Sequence, residues 1–209
     1  MPRDEVNELD KLMQPIVSGI AEYLEPRGFS KHHYTFNKWT RDGLCHVFDL
    51  QMGVKSLEGE FTANLGIFIP EVYRSLNETE PPEFIPIGEC CINARFSEFT
   101  DEDDKWWEIT PYNKAVIQEL NDLLQTYGLP FFIKFSDRQS IIAGLLAFDE
   151  KYGVAITPKL DIALMLEYLG KHNEAQKLFD QHYRESSGFK THVEKLKKIA
   201  AQQKWDITK

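Results

Sequence analysis

The sequence predicts an α+β protein, in which a four-stranded antiparallel sheet with an N-terminal helix is followed by an all-helical C-terminal subdomain. Residues 61–69, FTANLGIFI, alternate between two faces without interruption, which is typical of a strand with one face on the core. After Tyr112 the apolar period becomes that of a helix. Strands that precede helices indicate an α+β arrangement. The predicted domains are residues 1–110 for the sheet and 111–209 for the helices.

The first element is a helix over residues 4–27. Its apolar residues recur at spacings of three and four and form one stripe. Pro15 interrupts the pattern and predicts a kink or a restart, because an internal proline costs a helix about 3 kcal/mol. Pro26 and Gly28 should end the helix. The stripe consists of Val6, Leu9, Met13, Ile16, Val17, Ile20 and Leu24.

The four strands follow in order, and a turn signal separates the first two. Asp42-Gly43 is a strong hairpin signal, because both residues tolerate the positive φ that tight turns require. Pro70 stops the third strand, and a short helix is predicted directly after it. The predicted strands are residues 34–40, 44–54, 61–69 and 90–98.

The second half of the chain reads as a series of helices. The first runs from Tyr112 and should close at Gly128-Leu129-Pro130, and the others cover residues 136–152, 158–169, 173–183 and 190–203. Residues 158–185 resemble one tetratricopeptide unit in the placing of their small and large packing residues. One unit cannot form a groove, because such repeats need about three to be stable. The hairpin should therefore close the domain, and peptide binding is the alternative.

The net charge of −9 is divided unevenly, with −11 in residues 1–110 and +2 in residues 111–209. Residues 1–110 hold 10 Lys and Arg against 21 Asp and Glu, whereas residues 111–209 hold 14 against 12. An acidic half disfavours nucleic acid, whose binding depends on neutralising phosphates. It favours a basic protein or peptide as partner, and solubility is the alternative explanation for the charge.

A possible ligand site lies on the polar face that the four strands should share. Arg95 is its obvious cation, and its guanidinium suits a carboxylate or phosphate, with Asn64 and Gln51 orienting such a ligand. The alternative is a half-solvated face, or an internal ion pair between Arg95 and Asp49. The face carries Thr35, Asn37, Asp49, Gln51, Thr62, Asn64, Asn93 and Arg95.

Trp106 and Trp107 are neighbours and should face opposite ways on a strand, so that one enters the core and the other covers the sheet or a groove. The acidic run 101–104 before them lacks the Gly and the bidentate Glu of a calcium loop and reads as a solvated turn.

The sequence contains no motif that predicts a metal site, a phosphate-binding loop or a catalytic nucleophile. His32-His33, His46 and Cys90-Cys91 lack the spacings of a metal site, and no phosphate-binding loop or nucleophile motif occurs. No metal, cofactor or catalytic residue is predicted. Three cysteines, two of them adjacent, favour a reducing cytoplasm. We also predict no membrane span and no export signal.

Several of these features resemble a bacterial domain-of-unknown-function family, number forty-three-zero-four. The likeness implies a small cytosolic α+β protein and supplies no activity. In one departure, Met52-Gly53 follows Gln51 where a small polar residue is expected. The likeness runs through Gly28-Phe29, Tyr34-x-Phe36, the strand ending at Gln51, Phe61-x-x-Asn64-Leu65-Gly66, Arg95 and Trp106-Trp107-Glu108.

Two functions follow as hypotheses. The first is a non-enzymatic module that binds a protein or peptide, as immunity proteins bind toxins. The second is an enzyme or a binder of small anions that uses Arg95, Asn64 and Gln51. The wider candidate site adds Asn93, Asp49, Trp106 and Trp107.

Overall fold

The structure is a computed structural model that describes residues 3–100, 104–152 and 158–207. Its internal contacts divide the chain into two compact units. The sheet unit comprises Met1–Phe68 and Pro82–Lys134, and the helical unit comprises Ile69–Pro81 and Phe135–Lys209. The domain boundary near residue 110, inferred from the change from strand to helix periodicity, stays a prediction.

The sheet has six strands, so the prediction of four is wrong in number although the antiparallel arrangement is confirmed. The spatial order is β1-β2-β3-β4-β5, and β6 pairs with the start of β4. The two additional strands are too short to show alternation, and all three residues of β1 are exposed. The strands are β1 (Ser30–His32), β2 (Thr35–Trp39), β3 (Cys45–Met52), β4 (Glu60–Phe68), β5 (Ile92–Arg95) and β6 (Trp107–Glu108).

The helices follow the predicted order. None of those in the described part of the chain is both long and apolar enough to cross a membrane. Pro15 lies within the first helix on its exposed side, so the buried stripe continues past it. The helices are α1 (Arg3–Leu24), α2 (Pro70–Asn77), α3 (Lys114–Leu123), α4 (Leu129–Lys134), α5 (Arg138–Tyr152), α6 (Lys159–Tyr168), α7 (His172–Glu185) and α8 (Lys190–Gln203).

The predicted helix end at Gly128-Leu129-Pro130 is wrong. A π-helical turn, Leu124–Gly128, joins α3 directly to α4, and Pro130 occupies the first turn of α4, where a missing N–H costs nothing. Gly128 serves close packing instead of termination. A Cβ there would lie 3.0 Å from Leu124 Cδ2 and 3.4 Å from Leu65 Cδ2 on the sheet.

The core of the sheet unit lies between the apolar face of the sheet and the helices that cover it. On the sheet side, His46 of β3 stacks on Phe132 of α4 with ring centres 4.7 Å apart. Helix α1 packs against α3, where a Cβ on Gly19 would clash with Ile117 at 2.6 Å. The fully buried residues include Phe36, Phe48, Phe61, Leu65, Ile67, Ile16, Ile20 and Leu24.

The opposite face of the sheet is partly covered by the loop that follows residue 82. Buried Asn37 holds this loop through both of its amide atoms: Nδ2 donates to Ile85 O at 3.0 Å, and Ile85 N donates to Oδ1 at 2.6 Å. Beside it, Gly66 leaves room for Cys90, whose sulfur would lie 2.6 Å from an added Cβ. The loop therefore covers the half of this face nearest the start of β3, and the other half stays polar.

The helical unit is built on the α6–α7 hairpin, to which α2 and α8 add. Gly170 makes the turn at φ +74, and Ala175 is fully buried where the two helices meet. The resemblance of this hairpin to a tetratricopeptide unit stays a prediction. Elsewhere in the unit, Arg138 of α5 forms a buried ion pair with Glu71 of α2, with Nε 2.5 Å from Oε1 and Nη2 2.8 Å from Oε2.

Candidate functional site

The strand register places four of the polar side chains in one row across the sheet. Thr35 lies opposite Asp49, Asp49 opposite Asn64, and Asn64 opposite Arg95. We call these four residues the polar row. Since residues directly opposite in an antiparallel pair share a face, the row runs across β2, β3, β4 and β5 on the side away from the aromatic core.

Hydrogen bonds within the sheet already use much of the row. Thr35 Oγ1 donates to Asp49 Oδ1 at 2.6 Å, and Asn64 Nδ2 donates to Gln51 Oε1 at 3.1 Å. Asp49 and Asn64 are buried, whereas Gln51 is exposed. Burial raises the pKa of Asp49, and hydrogen bonds from Thr35 and Asn64 lower it in part. Of these groups, Gln51 presents the most accessible surface to a ligand.

Arg95 has a partner from its own chain at the end of the row. Its Nη1 lies 2.6 Å from Asp104 Oδ1 and 2.5 Å from Oδ2, so the proposed pairing with Asp49 is replaced by one with Asp104. The hydrogen bond from Arg95 lowers the pKa of Asp104. The Arg95 side chain is 32% exposed. A carboxylate thus occupies the position that the anion-binding hypothesis assigns to a ligand.

The two tryptophans have different environments. Trp106 Nε1 donates to Asp104 Oδ2 at 3.1 Å, and the Arg95 guanidinium carbon lies 5.4 Å from its ring centre. Trp107 is buried, donates to Glu119 Oε2 at 3.0 Å and stacks on Phe61. Trp106 therefore belongs with the polar row and Trp107 with the core.

Asn93 lies one register step away from the row, opposite Gly66. Its amide nitrogen, in the orientation that allows it to donate, lies 3.2 Å from Ile87 O in the covering loop. It is exposed and serves this loop instead of joining Arg95. Of the acidic run before the tryptophans, residues 101–103 lie outside the described residues, so the interpretation as a solvated turn stays a prediction.

Two further carboxylates lie on this face and were missed in the sequence. Glu60 of β4 lies directly opposite Glu108 of β6. Glu60 is two positions before Thr62 and four before Asn64, so its side chain shares their face. We call Glu60, Asp104 and Glu108 the acidic edge. Only the pairing of the two-residue strand β6 brings Glu60 and Glu108 together, and so short a strand gives no periodic signal.

Two basic residues near this edge, Arg95 and Lys105, already have carboxylate partners. Arg95 pairs with Asp104, and Lys105 pairs with Glu119. Glu60 and Glu108 lie opposite each other and give this part of the polar face a negative charge.

Among the described residues, no group of three or more His, Cys, Asp or Glu side chains is arranged to hold a metal ion. Cys45 is buried, and burial raises the pKa of its thiol to about 12, which makes it a poor nucleophile.

Two cavities are lined by described residues of the helical unit. A polar cavity of about 570 Å³ contains Glu167, which accepts hydrogen bonds from Trp205 Nε1 at 2.9 Å and pairs with His172 Nδ1 at 2.6 Å. A more apolar groove of about 520 Å³ lies between α5 and the α6–α7 hairpin, and Leu146 and Leu166 are among its lining residues.

Comparison with known proteins supplies the family of the chain. The family model described as the domain of unknown function DUF4304 matches residues 20–134, which is more than half of the sequence. No curated protein and no solved structure matches the chain. The match includes the polar row, the acidic edge and both tryptophans. The chain is therefore a member of the DUF4304 family.

Proposed function

We propose that this protein is a non-enzymatic binding module that holds a basic segment of a partner protein on the polar face of its sheet. The observation that supports it is the opposition of Glu60 and Glu108, on the same face of the sheet as an arginine that pairs with Asp104 of its own chain. The acidic edge would bind cationic side chains, and Trp106 and Gln51 would add stacking and hydrogen bonds.

The charge arrangement favours a cation over an anion. Like charges directly opposite across two strands destabilise a sheet by about 0.2–1 kcal/mol, and a lysine or arginine placed between them would relieve that repulsion. Glu60 and Glu108, on the same face as Arg95, would repel an incoming anion. It would also have to displace Asp104 from the guanidinium.

The polar row does not support catalysis. Asp49 accepts from Thr35, and Asn64 donates to Gln51, so both side chains are used within the sheet. General acid–base catalysis requires a group within hydrogen-bond reach of a substrate proton. These buried groups orient one another, and binding is the function that such an arrangement serves best.

The proposal is tested by salt-dependent capture from the host lysate. The variant Glu60→Gln/Asp104→Asn/Glu108→Gln should lose a protein that the natural chain retains at low salt. The matched control Glu8→Gln/Glu22→Gln/Glu25→Gln removes the same charge from exposed positions on α1 and on the turn that directly follows it, and it should retain the partner. Equal loss with both variants would show that net charge alone is responsible and would overturn the proposal. So would the absence of any saturable partner.

A second variant separates this proposal from anion binding. Arg95→Met removes a cation from the polar face, so capture of a basic partner should persist. If the protein instead binds a small anion, phosphate or a carboxylate should raise the melting temperature of the natural chain but not that of the variant. That result would favour the alternative.

A further inference from the structure

Two histidines of the helical unit point their ring nitrogens at each other. His182 lies near the end of α7 and His192 in the first turn of α8, and their Nε2 atoms are 3.0 Å apart. The ring planes are nearly perpendicular, at 88°, with centres 5.2 Å apart. Both side chains are half-buried, so solvent and small ions reach them.

The connection between the two helices fixes this pair. Ser186 is buried, and its N–H donates to His182 O at 3.0 Å. Phe189 N then donates to Ser186 O at 2.9 Å, and Val193 N to Phe189 O at 2.9 Å. Each end of the short turn is therefore bonded, and the two imidazoles meet in a defined geometry.

From this geometry we infer that His182 and His192 form a site for a divalent first-row transition metal, with Zn²⁺ as the reference ion. Two nitrogens bound to one tetrahedral zinc at about 2.0–2.1 Å lie about 3.3 Å apart, so the observed separation needs a change of only a few tenths of an ångström. Imidazole nitrogen is a ligand that zinc, copper and nickel all accept.

Each ring can offer the lone pair of one nitrogen to a metal ion. Neutral imidazole is the form that binds metal. When the ion binds, the ring that now donates through Nε2 moves that proton to its own Nδ1, so no proton leaves the pair.

A metal ion bound by the two histidines would have further coordination positions that they do not fill. Glu185 lies three residues after His182, on the same side of α7, and its half-exposed carboxylate is held by Lys159 at 2.7 Å and 2.8 Å. Glu185 stays paired with Lys159, and water would complete the coordination. Because the protein itself supplies two firm ligands, binding should be reversible and should clamp α7 to α8.

Calorimetric titration of the metal-free full-length chain with Zn²⁺ tests this inference. We expect one ion per chain at this site and a higher melting temperature with zinc. His182→Gln and His192→Gln should each weaken binding at least about 10-fold, because loss of even an outer partner of a ligand costs about 10- to 100-fold. The exposed His172→Gln in the same unit is the matched control and should bind like the natural chain.

Imidazole NMR spectra of the natural chain supply a readout that does not depend on the variants. Zinc should shift the ring signals of His182 and His192 together and leave those of His46 unchanged. An affinity within twofold of the natural value in His192→Gln would overturn the inference. So would the absence of heat and of ring shifts at millimolar zinc, which would identify the pair as a hydrogen bond between neutral rings.

Discussion

Replacing Asn37 by alanine should release the loop that covers half of the polar face. Asn37 is 4% exposed and Ile85 fully buried, and their two hydrogen bonds satisfy both backbone groups of Ile85. Alanine leaves that N–H and C=O without partners. Each orphaned buried group costs about 1–3 kcal/mol, so the free energy of unfolding should fall by about 2–6 kcal/mol. A domain of this kind has about 5–15 kcal/mol in total.

Urea unfolding of the natural chain and of Asn37→Ala gives this difference directly. Thiol labelling in a Cys91→Ser background adds a local readout, because Cys90 is 8% exposed beside the loop and should react faster once the loop is released. Asn77→Ala is the control, since this exposed amide on α2 lies outside the loop and its loss should cost no more than about 0.5 kcal/mol. A loss below about 0.5 kcal/mol in Asn37→Ala with unchanged labelling would refute the reasoning.

Three further changes have definite expected outcomes. Gly66→Ala should cost about 1–3 kcal/mol in urea unfolding, because its Cβ would lie 2.6 Å from Cys90 Sγ, and a neutral result would contradict the packing. Arg138→Met should cost about 3–5 kcal/mol by leaving Glu71 buried without a cation, and adding Glu71→Leu should recover most of the loss in the same assay. Burial raises the pKa of Asp161 from 3.8 to about 6, so the native state binds this proton more tightly and stability falls as pH rises through that interval. At pH 7, Asp161→Asn should therefore raise the melting temperature and increase the free energy of unfolding by up to about 3 kcal/mol. Below about pH 4 the substitution should have no effect on stability. An equal gain at both pH values would count against this assignment.

The main strands and the shared polar face could be predicted because both depend on a period of two. Phe61 to Phe68 alternate clearly, and the hairpin at Asp42-Gly43 fixes the register of β2 against β3. Once the neighbouring strands align, Asp49, Asn64 and Arg95 follow as a row. The polar face of the sheet could therefore be predicted from the alternation of residues along each strand.

What could not be predicted depends on contacts between residues far apart in the chain. Asn37 and Ile85 are 48 positions apart, and an asparagine that binds a distant backbone looks no different from one in solvent. Asp49 and Asp104 are both candidate partners for Arg95 in the sequence, and only the folded structure shows that Arg95 pairs with Asp104. The helix continues through Gly128, which packs against Leu65 of β4, a residue far away in the chain.

The excursion of residues 69–81 into the helical unit has a consequence for dissecting the chain. The family match ends at residue 134, where the sheet unit also ends, yet it includes α2, whose buried Val72 belongs with α6 and α8. A fragment cut after Lys134 would keep that helix and lose its packing partners, leaving an apolar surface in water. Isolating the sheet unit therefore requires replacing residues 69–81 with a short polar linker as well as truncating the chain. Any relative that shares the matched region without the later helices must shield this segment from water in another way.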